Sequence, residues 1–172
     1  VFSNIKGWQK LIGFVPQKIF ILDESLRNNI LFGLDNKKYK DDQIISMIKK
    51  FNLEILLKRL TGGLDGNLGE EGVNLSGGEI QRIGLCRSMI YDPEILFLDE
   101  ASSHLDMANE ENINRHLSAL NITRIMVAHR PQSIAIANTV YRLTHTSLQL
   151  LAPSTEETKP IENPMENTDE NT

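Results

Sequence analysis

Residues 75–106 read LSGGEIQRIGLCRSMIYDPEILFLDEASSHLD, and this stretch decides the fold class. Its first part places Ser76 before two glycines, Gly77 and Gly78, with Glu79 three positions after the serine. That spacing is typical of a helix capping box. The capping box alone explains Ser76 and Glu79, but two glycines weaken the first turn of a helix. What the glycines add is bare NH groups at the positive end of the helix dipole, which favours a phosphate-like anion there.

The second part of the stretch belongs to a set of three apolar runs that each end on a polar side chain. They are LIGFVPQ (11–17), EILFLDE (94–100) and TRIMVAHR (123–130). Short apolar runs of this kind are typical of buried strands in a parallel sheet. Helical patterns lie between them at 41–60, 79–91 and 107–120. Strands that alternate with helices predict an α/β fold.

The polar residues at the strand ends predict a site. Gln17 ends the first run, Asp99 and Glu100 end the second, and His129 lies at the end of the third. Ligands in open α/β sheets bind beyond the carboxyl ends of the strands. Residues that only punctuate strand ends would explain one such side chain, but not chemistry-capable groups at all three. We therefore expect the four side chains to face a common cleft.

These motifs, in this order, resemble those of the ATP-binding cassette (ABC) ATPases. The stretch 75–106 is similar to the signature motif, Walker B strand and D-loop of that family. VPQ at 15–17 resembles its Q-loop, GEEG at 69–72 the segment before the signature, and AHR at 128–130 its H-loop. The resemblance covers residues 8–150. It implies a partial P-loop NTPase fold, with a parallel sheet core and a helical subdomain at about 18–90 that carries the signature motif.

The resemblance also implies a role for each site residue in Mg²⁺-dependent ATP hydrolysis. Asp99 and Gln17 are expected to hold Mg²⁺, and a carboxylate at a strand end suits that metal. Glu100 is expected to orient or deprotonate the attacking water, with His129 holding the geometry at the γ-phosphate. The signature and D-loop residues are expected to bind the ATP of a partner domain in trans; they are Ser76, Gly77, Gly78, Glu79 and Asp106.

The sequence lacks the family's phosphate loop, because G-x-x-x-x-G-K-[ST] occurs nowhere in it. In the family that loop lies N-terminal to the point where this chain begins. Residues 1–152 therefore resemble the C-terminal two-thirds of a nucleotide-binding domain, and we expect the isolated chain to be inactive. The implied partners are a second nucleotide-binding domain in a head-to-tail dimer and a transmembrane domain on the same full-length chain. The expected location is the cytoplasmic face of a membrane.

The charge distribution separates a neutral body from an acidic tail. Residues 153–172 hold six Asp or Glu and one Lys, whereas residues 1–152 hold 17 basic and 17 acidic side chains. The tail has few large apolar residues, which predicts disorder. The neutral body lacks the basic surface of a nucleic-acid-binding protein, so we expect no nucleic-acid partner. The single cysteine, Cys86, is interpreted as core packing.

The resemblance favours an ABC exporter, and we expect its substrate class to be peptide, bacteriocin or lipid. Three other interpretations are compared with it. A chromosome-maintenance ATPase is excluded, because that class inserts a long coiled coil where this chain has only 57 residues between Gln17 and Leu75. A soluble ABC-type translation-factor ATPase and a catalytically inactive ABC module stay open. The chain departs from the usual family pattern at Glu79, where glutamine is commoner, and at 143–151, which lacks a glycine turn.

Overall fold

Three parallel strands form the sheet that the apolar runs predict. They are β1 (Ile12–Val15), β2 (Ile95–Asp99) and β3 (Thr123–Val127), in the spatial order β1-β2-β3. In the register of the sheet, Val15 lies opposite Leu98, and Asp99 lies opposite Val127. All three strands therefore end at the same edge, and the predicted α/β fold with a parallel sheet is confirmed.

The computed structural model describes residues 5–68, 73–100, 113–115, 117–120 and 122–151. The chain divides into two compact units, residues 1–129 and residues 130–172. The first unit contains the sheet and the helices α1 (Ile5–Gln9), α2 (Leu26–Ile30), α3 (Asp41–Lys50), α4 (Glu54–Arg59) and α5 (Gly77–Met89). Two short 3₁₀ helices, Asn36–Lys38 and Gly63–Asp65, lie between them. No helix among the described residues is long and apolar enough to span a membrane.

The helix predicted over 41–60 is wrong as a single element. The structure has two helices there, α3 and α4, separated by Phe51, Asn52 and Leu53. Asn52 has a φ of +54°, in the left-handed region that asparagine adopts more readily than most residues. Phe51 and Leu53 are both buried, so the interruption still directs apolar side chains into the core. In one continuous helix Phe51 and Leu53 would lie on opposite faces, and Ile55, which is 74% exposed, would share the buried face, so the 3.6-residue period changes phase at the break.

The helix predicted over 79–91 is confirmed, although its bounds differ. It begins two residues earlier, at Gly77, because Ser76 serves as its N-cap, and it ends at Met89. The helix predicted over 107–120 lies largely outside the described residues, of which 113–115 and 117–118 are helical.

Helix α5 packs closely against one face of β1. A side-chain carbon added at Gly13 would lie 2.6 Å from the backbone oxygen of Ser88 and 2.9 Å from Leu96 Cδ1, so only glycine fits there. Cys86 on α5 is fully buried, which confirms its interpretation as a core residue. Burial raises the pKa of the Cys86 thiol. The helix is thus fixed against the sheet whose carboxyl edge carries the predicted site.

The second unit contains a short helix and a β-hairpin. Helix α6 (Pro131–Ala135) begins with a proline, and the strands β4 (Val140–Leu143) and β5 (Leu148–Leu151) pair in antiparallel fashion. The turn lacks glycine, and one backbone bond, from Thr144 N to Ser147 O over 2.8 Å, closes it. Side chains add to this bond: Ser147 N donates to Thr144 Oγ1 over 3.1 Å, and the two hydroxyl oxygens lie 2.9 Å apart. The hydroxyl groups therefore support a turn that lacks glycine.

Candidate functional site

The side chains that follow the three strands meet at Glu100. Gln17 Nε2 donates to Glu100 Oε2 over 2.7 Å, and His129 Nε2 lies 3.2 Å from Glu100 Oε1. Glu100 is therefore contacted from both neighbouring strand ends, one contact to each carboxylate oxygen. The side chain of His129 is 79% exposed and that of Glu100 is 27% exposed. The predicted convergence of Gln17, Glu100 and His129 is confirmed, and the group is open to solvent.

The backbone holds Glu100 in an uncommon conformation. Its NH donates to Val127 O over 3.1 Å, which continues the hydrogen bonds between β2 and β3 by one residue. Its φ is +47°, in the left-handed region that costs a residue with a side chain about 1 kcal/mol or more. Strand β2 ends at Asp99, directly before this residue. Strain of this kind is commonly found at functional sites.

Asp99 occupies the last position of β2, is partly buried, and precedes Glu100 directly. Oxygen donors from Asp99 and Gln17 suit Mg²⁺, which binds few protein ligands and keeps waters and substrate phosphates for the rest. Among residues 5–68, 73–100 and the later described segments, no cluster of three or more His, Cys, Asp or Glu could hold a metal by itself. The donor chemistry of Asp99 and Gln17 fits a magnesium ion that a phosphate ligand also binds.

The predicted capping box at the start of α5 is confirmed in both directions. Glu79 N donates to Ser76 Oγ over 3.2 Å, and Ser76 N donates to Glu79 Oε2 over 2.8 Å. The Ser76 hydroxyl also lies 3.0 Å from Glu79 Oε2. Ser76 and Gly77 are exposed, whereas Glu79 is buried. Ser76 and Gly77 are therefore accessible to a ligand, Gly78 is half-buried, and Glu79 supports the motif from inside.

Arg59 at the end of α4 is a contact of this motif that the sequence did not predict. Arg59 Nη2 lies 3.2 Å from Glu79 Oε1 and 3.4 Å from Glu79 Oε2, and it also donates to Asn74 O over 3.3 Å. Twenty residues separate Arg59 from Glu79. Glu79 stands where glutamine is commoner in the family, and this was the one sequence signal that a positively charged side chain lies near it.

The segment 18–33 is organised around Asn29, a second residue that the sequence did not single out. Asn29 is fully buried, and its Nδ2 donates to three backbone oxygens, those of Leu22, Glu24 and Ser25, over 3.0–3.1 Å. Its Oδ1 accepts from Leu22 N over 2.9 Å. The Asn29 side chain thus provides hydrogen-bond partners for backbone groups of residues 22–25, which lie outside the helices and the sheet strands.

Arg87 on α5 ties this segment to the signature helix. Its guanidinium donates to Phe20 O over 2.5 Å, to Asn29 Oδ1 over 2.8 Å and to Asn29 O. It also lies over the Phe32 ring, 4.9 Å from the ring centroid. Burial lowers the pKa of Arg87 to about 10, so it remains charged at neutral pH. The side chains of Phe20 and Phe32 are 71% and 52% exposed, which leaves two aromatic rings on the surface of the segment.

Two predicted parts of the site lie outside the described residues. They are Asp106 of the D-loop and the GEEG segment at 69–72. The acidic tail at 153–172 also lies outside them. The described residues therefore comprise the strand-end group, which is Gln17, Asp99, Glu100 and His129, together with the signature helix α5 and the segment 18–33.

Comparison with known proteins identifies the family. The family model described as ABC transporter matches residues 2–103. ABC transporter B family member 2 of Dictyostelium discoideum is 40% identical over 139 residues, covering 80% of this chain and 10% of that protein. A putative export ATP-binding/permease protein of Rickettsia felis is 38% identical over 138 residues, covering 79% of this chain and 24% of that protein.

A solved structure agrees with these relatives. The structure of a bacterial Atm1-family ABC exporter with ATP bound matches with a TM-score of 0.69 and 32% identity, covering 77% of this chain and 24% of that chain. The present chain thus spans about a quarter or less of the length of these relatives. The fold, the strand-end group and the signature helix agree with the match. The chain belongs to the ABC transporter family, and it matches the exporter-type nucleotide-binding domains of that family.

Proposed function

We propose that this chain supplies the water-activating and signature-bearing part of the ATPase domain of an ABC exporter, which hydrolyses ATP to drive transport across a membrane. The observation that carries the proposal is the contact of Gln17 and His129 with the two oxygens of Glu100. A carboxylate so oriented is suited to accept a proton from a water molecule, because both its contacts fix the direction of its lone pairs. The exposure of His129 leaves room for a substrate phosphate beside it.

Each residue of the group has a distinct role in this proposal. Glu100 accepts the proton of the attacking water, and His129 donates from its imidazole to the γ-phosphate as negative charge develops there. Gln17 holds Glu100 in place and shares Mg²⁺ with Asp99. The metal neutralises phosphate charge when it is bound.

The signature motif acts on a second nucleotide in the proposal. Ser76, Gly77 and Gly78 face the γ-phosphate of ATP held by a partner domain in a head-to-tail dimer. The exposure of Ser76 and Gly77 and the NH groups at the start of the 13-residue α5 support this role, since a helix N-terminus favours an anion. Residues 1–172 contain no G-x-x-x-x-G-K-[ST] loop, and we propose that these residues alone do not hydrolyse ATP.

The segment 18–33 is the proposed contact with the transmembrane part of the exporter, on the cytoplasmic face of the membrane. Its exposed Phe20 and Phe32 offer an apolar surface, and Arg87 and Asn29 hold the backbone that carries it. We propose a peptide, bacteriocin or lipid as the transported substrate class, on the resemblance of the motifs to those exporters.

Two variants of the full-length gene product test the proposal, with phosphate release and ATP retained after rapid dilution as the two measurements. Glu100→Gln should abolish phosphate release and keep ATP occluded, because it removes the proton acceptor and leaves the phosphate contacts. Ser76→Arg should abolish both, because a bulky side chain obstructs closure on the partner's nucleotide. Ser46→Arg, an exposed serine on α3, is the matched control and should behave like the unmodified protein.

The outcomes separate chemistry from assembly. Continued phosphate release by Glu100→Gln would remove Glu100 from the role of proton acceptor. Normal ATP occlusion by Ser76→Arg would show that the signature motif serves only as a helix cap and does not bind the partner's nucleotide.

A further inference from the structure

The contact between Arg59 and Glu79 places a charge pair directly behind the signature motif. The side chain of Glu79 is only 10% exposed, and that of Arg59 is 42% exposed. The arginine therefore covers the buried carboxylate from the solvent side. Glu79 also receives the NH of Ser76 over 2.8 Å and lies 3.0 Å from the Ser76 hydroxyl, so the negative charge is in direct contact with the exposed serine.

A carboxylate in this position opposes the binding of an anion at Ser76. Like charges a few ångströms apart repel strongly where the surroundings are partly buried, because water screens them poorly there. A glutamine amide oxygen would accept the same hydrogen bond from Ser76 N without carrying charge. The glutamate in this chain therefore keeps the capping box and adds a repulsive charge that a neighbouring cation must balance.

Arg59 is positioned to provide that balance and to fix the loop as well. Its Nη2 contacts both oxygens of Glu79, and the same nitrogen donates to the backbone oxygen of Asn74, two residues before Ser76. All of these contacts come from one nitrogen, so the arginine acts here as a local positive charge and not as a bidentate fork. One side chain from α4 thus supports both ends of the turn that presents Ser76.

We infer that Arg59 is a positioning residue for the signature motif, which neutralises Glu79 and so permits Ser76, Gly77 and Gly78 to accept the phosphate of the partner's ATP. This inference rests on the proposed function of the motif. It assigns to α4 a role in nucleotide binding, although Arg59 itself does not touch the nucleotide. It also makes Arg59 and Glu79 an interdependent pair, so that the effect of changing one depends on the identity of the other.

A double-mutant cycle in the full-length gene product tests the inference, with the ATP concentration for half-maximal occlusion as the measurement. All variants carry Glu100→Gln, so that turnover does not deplete the ATP. Arg59→Met should raise that concentration about tenfold, because the carboxylate beside Ser76 is then uncompensated in a partly buried site. Glu79→Gln should lower it or leave it no higher, because the repulsive charge is gone and Arg59 remains, and Arg59→Met with Glu79→Gln should restore it to within about twofold of the value for Glu100→Gln alone.

Two controls separate charge balance from simple loss of folding. Lys58→Met removes an exposed positive charge from the adjacent position of α4 and should leave occlusion unchanged. Arg59→Lys retains the charge and should bind ATP at least threefold better than Arg59→Met does. If Arg59→Met does not fold, Arg59→Lys and the double variant are compared in its place. Both should occlude ATP, and a double variant that does not occlude ATP overturns the inference.

The result that overturns the inference is failure of the rescue. If the double variant is as weak as Arg59→Met, or if Arg59→Met behaves like Lys58→Met, Arg59 does not act through the charge of Glu79. Ser76→Arg measured alongside distinguishes this from failure of the proposed function. Loss of occlusion in Ser76→Arg with no effect of Arg59→Met overturns the inference alone, whereas normal occlusion in Ser76→Arg overturns both.

Discussion

The amide nitrogen of Gln17 donates to Glu100 Oε2 over 2.7 Å, across a sequence separation of 83 residues. The two residues follow neighbouring strands, β1 and β2, whose parallel register brings their carboxyl ends together. His129 reaches the other oxygen of Glu100 from the end of β3. The arrangement makes Glu100 the common partner of two side chains that do not depend on each other for their positions.

We predict that the effects of Gln17→Ala and His129→Ala on ATP turnover are not independent. Each should lower kcat of the full-length gene product by about a hundredfold, the typical scale of a general-base arrangement. Because part of each effect passes through Glu100, which both side chains contact, the double variant should lose less than the product of the two single losses. Steady-state phosphate release over a range of ATP concentrations measures this. Multiplicative losses would show that the two side chains act separately.

We predict that the 172-residue chain alone hydrolyses ATP at no more than the background rate. The sequence has no G-x-x-x-x-G-K-[ST] loop, and phosphoryl transfer depends on the positioning that such a loop provides. Phosphate release with Mg²⁺ present, compared between the chain and its Glu100→Gln variant, is the measurement. Activity that disappears in Glu100→Gln would reveal a phosphate site of a different kind.

We predict that Gly13→Ala destabilises the chain more than Gly84→Ala does. A methyl group at Gly13 meets the backbone oxygen of Ser88, which cannot move without shifting α5. A methyl group at Gly84 overlaps the end of the Ile19 side chain, which can rotate away. Overpacking against fixed atoms costs about 1–3 kcal/mol. Urea unfolding gives the ranking, and Ile19→Ala should rescue Gly84→Ala but leave Gly13→Ala unchanged.

We predict that Cys86 contributes to a loss of stability at alkaline pH. The pKa of the folded thiol is raised by burial, whereas an unfolded cysteine titrates near ~8.5. The stabilisation that Cys86 provides is therefore complete below that pH. It falls as pH rises, because only the unfolded state releases the proton. The free energy of unfolding then decreases with a limiting slope of about 1.4 kcal/mol per pH unit. Cys86→Ala should be less stable than the unmodified chain at pH 7, and urea unfolding should show the difference shrinking towards pH 10. A constant difference would contradict the prediction.

The strand ends were predictable because apolar runs that stop on a polar residue mark both the strand and its edge. Gln17, Glu100 and His129 were placed together on that basis, and the structure brings them together. The break at Asn52 was not predicted, because Leu53, Ile55 and Leu56 are all apolar and the sequence alone does not show that Leu53 is buried and Ile55 is exposed. A run of apolar residues fits more than one helical phase, so periodicity does not locate a change of phase within it.

Contacts between distant polar residues were the other part that the sequence did not reveal. Arg59 and Asn29 each lie in a segment with several charged or polar neighbours, and nothing local distinguishes them from those neighbours. Their importance comes from acceptors that the fold brings near: Glu79 for Arg59, and the loop carbonyls for Asn29. The first pairing depends on how α4 lies beside the start of α5, and the second on the irregular path of residues 22–25, and a single sequence specifies neither.

The left-handed backbone conformation at Glu100 lowers the stability of the fold, whereas the side chain at the same position is required for ATP turnover in the proposed function. Glycine has no side chain to strain at positive φ, and asparagine tolerates it better than glutamate does. Replacing Glu100 with either residue should therefore raise the melting temperature while removing the proton acceptor. A laboratory evolution experiment that selects only for heat resistance should accumulate glycine or asparagine at position 100, whereas one that also demands turnover should return glutamate.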